Sequence, residues 1–539
     1  MASKLPSTAM RAVGDVLRNG AIRRIEIAWT AGTAADGAFL VVLLVVAYDA
    51  GGPLAAGLLG AIRVIPWIVS APFAPRLVIR FRGDRVLAAI NGVRSVGAIA
   101  TAAVVGTGLP MWPTYVLAAV VAGAGSLVRP IQTALLPAFA RSPRELVAAN
   151  VASSMGEGLG TFVGPLLAGI LVATTGSVSA SVLVAAVFAA AAAALTGIRF
   201  EQAADARGHH PASSRPRLSE APRVLRRYPT TLVIVGDFAV QSMVRGMLIT
   251  LIVVGSIELL GMGDTGVGIL TAAIGLGGLA GAAGALVLKG GGVLGRVFVI
   301  ALACWGLPLV LVGAVPVAAI AVAALFATGL SNAVLDVSGF TLMQRGVRNE
   351  DRVTVFAAGE SLWGTGLLVG SLLAPALVSL FGARGAFLVA GAILPLLAIV
   401  TSRPIRRGTR DLGDTEAQLA LLRRNPLFAP LPLTALDRLA ADMHPVAFAR
   451  GDVVMRRGDP GEHYLLIAAG ELEVTDDGRH LRSCGPGDGV GEIALLREVP
   501  RTATVTATTD VRAFTIDAPG FIAAVSGPAA AAAAEAVAA

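Results

Sequence analysis

Twelve stretches of roughly twenty apolar residues follow one another through about the first 400 positions, and no other feature restricts the fold as much. A helix needs about 20 such residues to cross the hydrocarbon core of a bilayer. The runs lie near 24–48, 53–75, 86–107, 113–138, 147–173, 177–198, 230–257, 265–288, 296–314, 316–343, 354–380 and 384–401. In lipid no water is present to satisfy backbone N–H and C=O groups, so each run must close its own hydrogen bonds as a helix. Charged residues make up 14 % of the chain, against about 25 % in a soluble domain. A soluble core could not hide so many apolar helices in series.

The loops between the runs carry the topology. Arg76, Arg80, Arg82 and Arg85, then Arg141 and Arg144, Arg199 through Arg227, Lys289 and Arg296, and Arg345, Arg348 and Arg352 fall in alternate loops. The other loops hold Asp49, Glu258, Asp264 and one cation, Arg384. The bias of basic residues toward cytoplasmic loops puts both termini in the cytoplasm. The same distribution accounts for the net charge of +8 without nucleic acid as a partner. The near absence of lysine, Lys4 and Lys289 alone, points to a GC-rich bacterial genome. Cys304 and Cys484 lie too far apart in the chain to suggest a disulfide framework or metal spacing. His209 and His210 sit in the polar stretch 200–228 without nearby ligands, so no metal is expected there. Met1 to Gly20 has no apolar core, and no cleavable signal peptide is expected.

The first six runs repeat in the last six. A shift of 206 residues lays Gly158, Gly160, Val163, Gly164, Leu166, Leu167 and Ala168 on Gly364, Gly366, Val369, Gly370, Leu372, Leu373 and Ala374. The two stretches occupy the fifth run of each half. With this repeat, residues 20–402 resemble the major facilitator superfamily, nearest to exporters of the enterobactin- and macrolide-efflux type. The text that carries the resemblance is Arg129-Pro130-Ile131-Gln132-Thr133-Ala134-Leu135-Leu136-Pro137, Glu145-Leu146-Val147-Ala148-Ala149-Asn150 and Val163-Gly164-Pro165. In the family's loop signature after the second helix, Leu77 and Arg80 match, while Ile79 stands where an acid is usual and Pro75 where a glycine is usual.

Ionisable residues inside a span cost about 2.5–3.5 kcal/mol each on insertion scales, so those retained face a partner or a pathway. They are Asp36, Arg63, Arg94, Arg129, Glu157, Asp237, Arg245, Asp336 and Glu360. The resemblance implies that the first, fourth, seventh and tenth helices of the fold line a central cavity. Asp36, Arg129, Asp237, Arg245 and Asp336 then belong to that lining, with Glu157 and Glu360 on the fifth and eleventh helices. Two readings stay open: a substrate or proton site at the repeat interface, or ion pairs that only hold helices together.

After Arg403 the chain reads as a soluble domain. Thr415-Glu416-Ala417-Gln418 suggests a capping box that opens a helix through Arg424. Short strands follow, broken at Gly451-Asp452, Gly458-Asp459-Pro460-Gly461 and Gly470, as in a small barrel or jelly roll. The segment Gly487-Asp488-Gly489-Val490-Gly491-Glu492-Ile493-Ala494-Leu495-Leu496, then Pro500-Arg501-Thr502-Ala503-Thr504-Val505, resembles the phosphate-binding cassette of cyclic-nucleotide-binding domains. A glycine lets backbone approach an anion, a short helical turn aims N–H groups at it, and an arginine fork pairs with phosphate. The resemblance implies that Glu492 takes the ribose hydroxyl and Arg501 the cyclic phosphate. Gly491, the backbone of Ile493 and Ala494, and the Thr502 hydroxyl complete the cradle. Thr502 suits cAMP or cGMP, and the bacterial setting favours cAMP.

The expected fold is therefore an all-α polytopic membrane domain of twelve transmembrane helices in two six-helix pseudo-repeats, joined to a C-terminal α+β domain with a β-jelly-roll barrel. The membrane domain takes residues 1–402, with halves near 20–199 and 229–402 and a cytoplasmic loop at 200–228. A linker helix takes 403–425 and the nucleotide domain 426–539. The expected function is a secondary active transporter of the bacterial inner membrane, an exporter by resemblance, with cytoplasmic cyclic nucleotide as regulator, cAMP favoured, and a small molecule of unread identity as substrate. A membrane sensor of nucleotide that no longer transports is the alternative. No nucleophile elbow, phosphate-binding loop or metal cluster suggests an enzyme or a cofactor.

Overall fold

The computed structural model describes residues 19–70, 83–139, 143–196, 221–285, 291–431, 435–436, 439–440 and 442–526. They divide between two compact units, one built mainly of residues up to Gly408 and the other from Thr409 onward. The loop text around Leu77 and Arg80, the histidines 209 and 210, and the C-terminal alanine run from 527 lie outside the described residues.

The first unit is helical. Its elements are α1 (Gly20–Ser70), α2 (Gly83–Gly106), α3 (Trp112–Ser126), α4 (Val128–Phe139), α5 (Pro143–Leu195), the short α6 (Ala221–Arg226), α7 (Pro229–Val254), α8 (Gly263–Ala285), α9 (Gly291–Ala314), α10 (Ala318–Gly346) and α11 (Asn349–Gly408). Among the described residues nine helical segments are long and apolar enough to cross a membrane. Three of these segments are 47, 47 and 58 residues long, more than twice the length one crossing needs. Each of the three contains glycine outside the helical region: Gly51 and Gly52 in α1, Gly176 in α5, Gly382 in α11. These positions fall between two apolar runs of the sequence, and Gly52, Gly176 and Gly382 adopt positive φ of 62°, 82° and 66°, which a residue with a Cβ rarely enters. The run expected at 113–138 is instead two helices, α3 and α4, separated at Leu127.

The repeat has a packing reason. With no hydrophobic drive between helices in lipid, small residues set how closely backbones approach. A Cβ on Gly164 of α5 would stand 2.0 Å from the Ala34 carbonyl oxygen of α1, and one on Gly370 of α11 would stand 1.8 Å from the Met243 carbonyl oxygen of α7. Gly160 and Gly366, one turn earlier, face the carbonyls of Thr30 and Ala239 in the same way. The 206-residue repeat thus encodes one helix crossing used twice. Glycines also join the two halves. Gly169 and Gly275 bring α5 against α8, and Gly57 brings the second arm of α1 against the Ser371 carbonyl of α11.

The second unit begins with α12 (Arg410–Arg424). This helix starts five residues before Thr415, so the sequence read as a capping box lies within it. Eight strands follow: β1 (His444–Phe448), β2 (Val453–Met455), β3 (His463–Ala469), β4 (Leu472–Asp476), β5 (Arg479–Cys484), β6 (Gly489–Val490), β7 (Thr504–Ala507) and β8 (Val511–Asp517). Between β6 and β7 lies α13 (Glu492–Arg497), and α14 (Ala518–Ser526) closes the described chain. The strands form two four-stranded antiparallel sheets, ordered β1-β8-β3-β6 and β2-β7-β4-β5. One core fills the space between strands, with Leu465, Ile467, Leu472, Val474, Val505 and Ala513. A second core lies under the helices, where Leu421, Leu422, Phe428 and Phe521 meet Tyr464, Leu466 and Ile516. Strand β3 contributes to both, Leu465 and Ile467 to one and Tyr464 and Leu466 to the other, so it shows no polar alternation.

The glycine crossings give a direct test. Gly370→Ala forces a methyl onto backbone that cannot move aside cheaply, at a cost of about 1–3 kcal/mol for overpacking. Gly236→Ala, also on α7's half of the molecule but with nothing within 4 Å of its added Cβ, gains about 0.5–1 kcal/mol of helix propensity. Thermal unfolding of the detergent-solubilised protein should show a lower midpoint for the first variant and an unchanged or higher one for the second.

Candidate functional site

Two constellations of polar groups stand out, one in each unit. In the helical unit, Asp36 of α1 accepts a hydrogen bond from Arg94 of α2 at 2.7 Å, and Arg63 of the second arm of α1 lies 3.8 Å from its other oxygen. Both cations are buried, with side chains 4 % and 13 % exposed, while Asp36 keeps 40 %. Arg94 also stacks on the Phe188 ring, 4.2 Å from its centroid. The two guanidinium groups share one carboxylate, which is the arrangement of a structural pair as much as of a transport site. Arg129 of α4 donates to Glu157 of α5 at 2.9 Å. It is also the cation that acts on Glu360 of α11, so one arginine faces acids from both halves.

In the second half, Asp336 of α10 accepts from the Asn332 amide at 2.9 Å. The Asn332 oxygen in turn accepts from Gln241 of α7 at 3.1 Å and from the Trp305 indole of α9 at 3.0 Å. Arg245, exposed on α7, is the cation that acts on Asp336. Asp237 stands apart from these groups, 2 % exposed, with the Thr401 hydroxyl as its neighbour. The structure therefore brings Asp36, Arg129 and Asp336 each to different partners rather than into one cluster. Sequence reading missed Glu26, which is 7 % exposed and accepts from Ser153 at 2.6 Å and from Gln132 at 3.5 Å. It lies two residues inside the first apolar run, where it reads as a boundary residue. Gln132 stands in the motif text after Arg129, and was a usable signal.

In the second unit the cassette residues converge on Arg501. The Arg501 side chain is buried and its guanidinium donates to the Gly491 carbonyl at 3.1 Å and to the His463 carbonyl at 2.7 Å. Its backbone is fixed as well: its N–H donates to the Asp459 carbonyl and its own carbonyl accepts from Gly458, both at 2.8 Å. Those two side-chain bonds set the plane of a five-donor fork and leave other donors for an anion. Gly491 has φ +98°, and a Cβ there would stand 2.5 Å from Arg501 Nη1, so the cradle requires glycine at this position. Gly489 is constrained too, since its Cβ would meet the Tyr464 hydroxyl at 1.9 Å.

Glu492, first residue of α13, is held by Arg482 of β5 at 3.2 Å, and Arg482 also donates to the Gly489 carbonyl at 3.1 Å. Burial holds Arg501 below the ordinary arginine range, and Asp459, Glu462 and Glu492 oppose that fall. The guanidinium remains charged at any working pH, so this is a partly buried cation ringed by carboxylates at a distance and bonded to carbonyls. Such a cation suits an anion. Ala494 is buried, Ile493 and Thr502 are exposed at the rim. Arg482 was missed from the sequence because its role depends on the β5 register, Arg482 opposite Val474. Burial also pushes the Cys484 thiol up, which disfavours the reactive thiolate. Among the described residues no group of three or more His, Cys, Asp or Glu could hold a metal ion.

Comparison with known proteins finds one family in each part of the chain, the first match running past Gly408 into the second unit. The profile of the Major Facilitator Superfamily matches residues 27–358 and 292–441, and the profile of the cyclic nucleotide-binding domain matches residues 445–526. A cAMP-dependent protein kinase regulatory subunit from Blastocladiella emersonii is 31 % identical over 172 residues, which is 31 % of this chain and 40 % of that protein. A CRP-like cAMP-activated global transcriptional regulator from Mycobacterium tuberculosis is 33 % identical over 102 residues, 18 % of this chain and 46 % of that protein. Among solved structures, the regulatory domain of Toxoplasma gondii PKA with cAMP is 32 % identical, covering 22 % of this chain and 47 % of that one with a TM-score of 0.21. The chain spans under half the length of these relatives.

The shared carboxylate of the helical unit is testable. Asp36→Asn leaves Arg94 and Arg63 buried without a counter-charge. The expected loss is about 3 kcal/mol, the lower end for a broken buried pair because Asp36 is itself part-exposed. Arg94→Gln should destabilise by less when combined with Asp36→Asn than when made alone, and a double-mutant cycle on unfolding midpoints checks it.

Proposed function

This chain belongs to the Major Facilitator Superfamily and carries a C-terminal cyclic nucleotide-binding domain, and from that premise we propose that it is a secondary active transporter controlled by cAMP. Reading each glycine-interrupted helix as two crossings, and α3 with α4 as one, gives twelve membrane passages. The bias of arginine toward alternate loops supports a topology with both termini in the cytoplasm of a bacterial cell, where the nucleotide domain would meet cAMP. Its eight strands in two sheets support reading that domain as a jelly roll. The direction of transport is taken as export from the resemblance of the Arg129–Pro137 text.

The observation that carries the proposal is the convergence on Arg501. A guanidinium held by the Gly491 and His463 carbonyls, beside a glycine that any side chain would spoil, is built for an anion that approaches backbone closely. Glu492, oriented by Arg482, supplies the acceptor for a ribose hydroxyl. The named relatives that match this part of the chain are cAMP-regulated proteins, which supports cAMP over cGMP as the ligand. In the helical unit, the linked polar groups Gln241, Trp305, Asn332 and Asp336, together with Arg245, offer hydrogen bonds to a polar substrate from three helices.

Binding is measured on the full chain by calorimetry with cAMP. Arg501→Ala leaves a phosphate without its fork, a loss of about 3–5 kcal/mol, so affinity should fall at least about 100-fold at 1.4 kcal/mol per decade. Wild-type affinity in that variant overturns the site.

Regulation is tested through reciprocity. A nucleotide shifts a transporter only by binding its conformations unequally, and the coupling, about 1–3 kcal/mol, acts in both directions. A transported compound found in a vesicle screen should therefore change cAMP affinity about 5–150-fold. Equal cAMP affinity with and without saturating substrate removes the regulatory reading. Nucleotide binding with no transport of any compound favours the sensor instead.

A further inference from the structure

Most carboxylates within the helical spans have an evident polar or cationic partner. Asp36 has two arginines, Glu157 has Arg129, Asp336 has Asn332 and Arg245, and Glu258 accepts from Tyr48. Glu26 and Asp237 differ. Among the described residues, the carboxyl oxygens that are buried and without a hydrogen-bond partner are Glu26 Oε2 and Asp237 Oδ2. Both residues are more than nine-tenths buried, at 7 % and 2 % exposed.

The groups that touch them are neutral. Glu26 meets the Ser153 hydroxyl of α5 and the Gln132 amide of α4, and Asp237 meets the Thr401 hydroxyl of α11. Among the described residues, neither acid has a charged group as hydrogen-bond or ion-pair partner. The charged residues on the elements around Glu26 are Arg23 and Arg24 on its own helix within one turn, Asp36 farther along it, Asp84, Arg85 and Arg94 of α2, Arg129 of α4, and Glu145 and Glu157 of α5. Around Asp237 they are Arg245 on its own helix, Arg296 of α9, Asp336 and Arg345 of α10, and Arg352, Glu360 and Arg403 of α11. The two sites lie at similar depths in the two halves but not at equivalent positions. The glycine contacts pair Thr30 with Ala239 and Ala34 with Met243, an offset of 209 that lays Glu26 on Val235, two residues before Asp237 and on a different face of the helix. An indole fixes the helix pair beside each acid. Trp29 of α1 donates to the Ser153 carbonyl of α5 at 3.0 Å, and Trp363 of α11 donates to the Val235 carbonyl of α7 at 3.3 Å.

An ionised carboxylate withdrawn from water without a cation costs far more than a neutral acid whose hydroxyl lacks one hydrogen bond. We propose that Glu26 and Asp237 are the proton-binding carboxyls of the transport cycle, one in each half, each holding a proton while buried and releasing it when its helices part. On release the O–H bond breaks, the proton passes to water, and the carboxylate left behind is solvated. On reclosure a proton from water re-forms the O–H bond before the acid is buried again. This assignment rests on the transporter reading and gives the proton a route separate from Asp36, whose charge is committed to Arg63 and Arg94.

The test needs no substrate. Infrared difference spectra of the purified full chain in lipid are recorded as pH is raised, following the C=O band of protonated carboxylic acids. At about pH 6, where ordinary carboxylates are ionised, the wild type should retain bands from Glu26 and Asp237, each assigned by the variant that removes it. Glu26→Gln should remove one and Asp237→Asn the other. Glu26→Asp and Asp237→Glu should each keep a band at a shifted frequency, and they carry the test alone if an amide variant does not fold. Absence of protonated-carboxyl bands in the wild type, or a band unaffected by its variants, overturns the assignment while leaving the transporter reading untouched. A wild-type protein that shows both bands but transports nothing fails the transporter reading instead.

Discussion

A charge taken out of water must be met by an opposite charge, by several hydrogen bonds, or by a proton that removes it. Much of the polar architecture of this chain can be sorted by which of the three it uses. Arg94, nearly inaccessible on α2, uses the first through Asp36 and adds the Phe188 ring. Asp336 combines an amide donor with a nearby cation. Arg501 uses the second, donating to two carbonyls that neutralise none of its charge.

The same constraint explains why glycine is so prominent. Helices in lipid cannot gain by hiding apolar surface from water, and close backbone approach supplies the contact energy instead. At Gly164, Gly366 and Gly370 the nearest facing atom is a carbonyl oxygen of the neighbouring helix, and at Gly160 backbone of Ala34 and Thr30 lies as close. That contact brings helix axes close enough for side chains such as Glu26 and Ser153 to meet across α1 and α5. Loosening it would admit water to groups whose state depends on its absence. In the second unit glycine has a different task, since Gly491 clears room beside Arg501 in a backbone conformation that other residues avoid.

Much of this was legible in the linear chain, and the reasons are specific. Apolar runs of membrane length, the glycine repeat at a shift of 206, and the Gly491-Glu492 and Arg501-Thr502 pairs are all local patterns, and local patterns survive in one dimension. The capping box at Thr415 failed because propensity alone cannot say where a helix begins once Leu421 and Leu422 pack into a core with Phe428 and Tyr464. The fourth run divided at Leu127 because a continuous apolar text does not require a continuous helix. Strand β3 shows no polar alternation because both its faces are covered.

The sequence by itself determined the membrane class, the glycine repeat and the positions of Gly491, Glu492 and Arg501 in the C-terminal cassette, since each depends on residue type and spacing along the chain. Only the tertiary structure decided which charges answer one another. Asp36 and Arg94 lie 58 residues apart, Arg482 and Glu492 face each other across a strand and a turn, and Glu26 meets Ser153 from 127 residues away. Pairing of that kind is a matter of distance in space and access to water, and neither is written in the order of the residues.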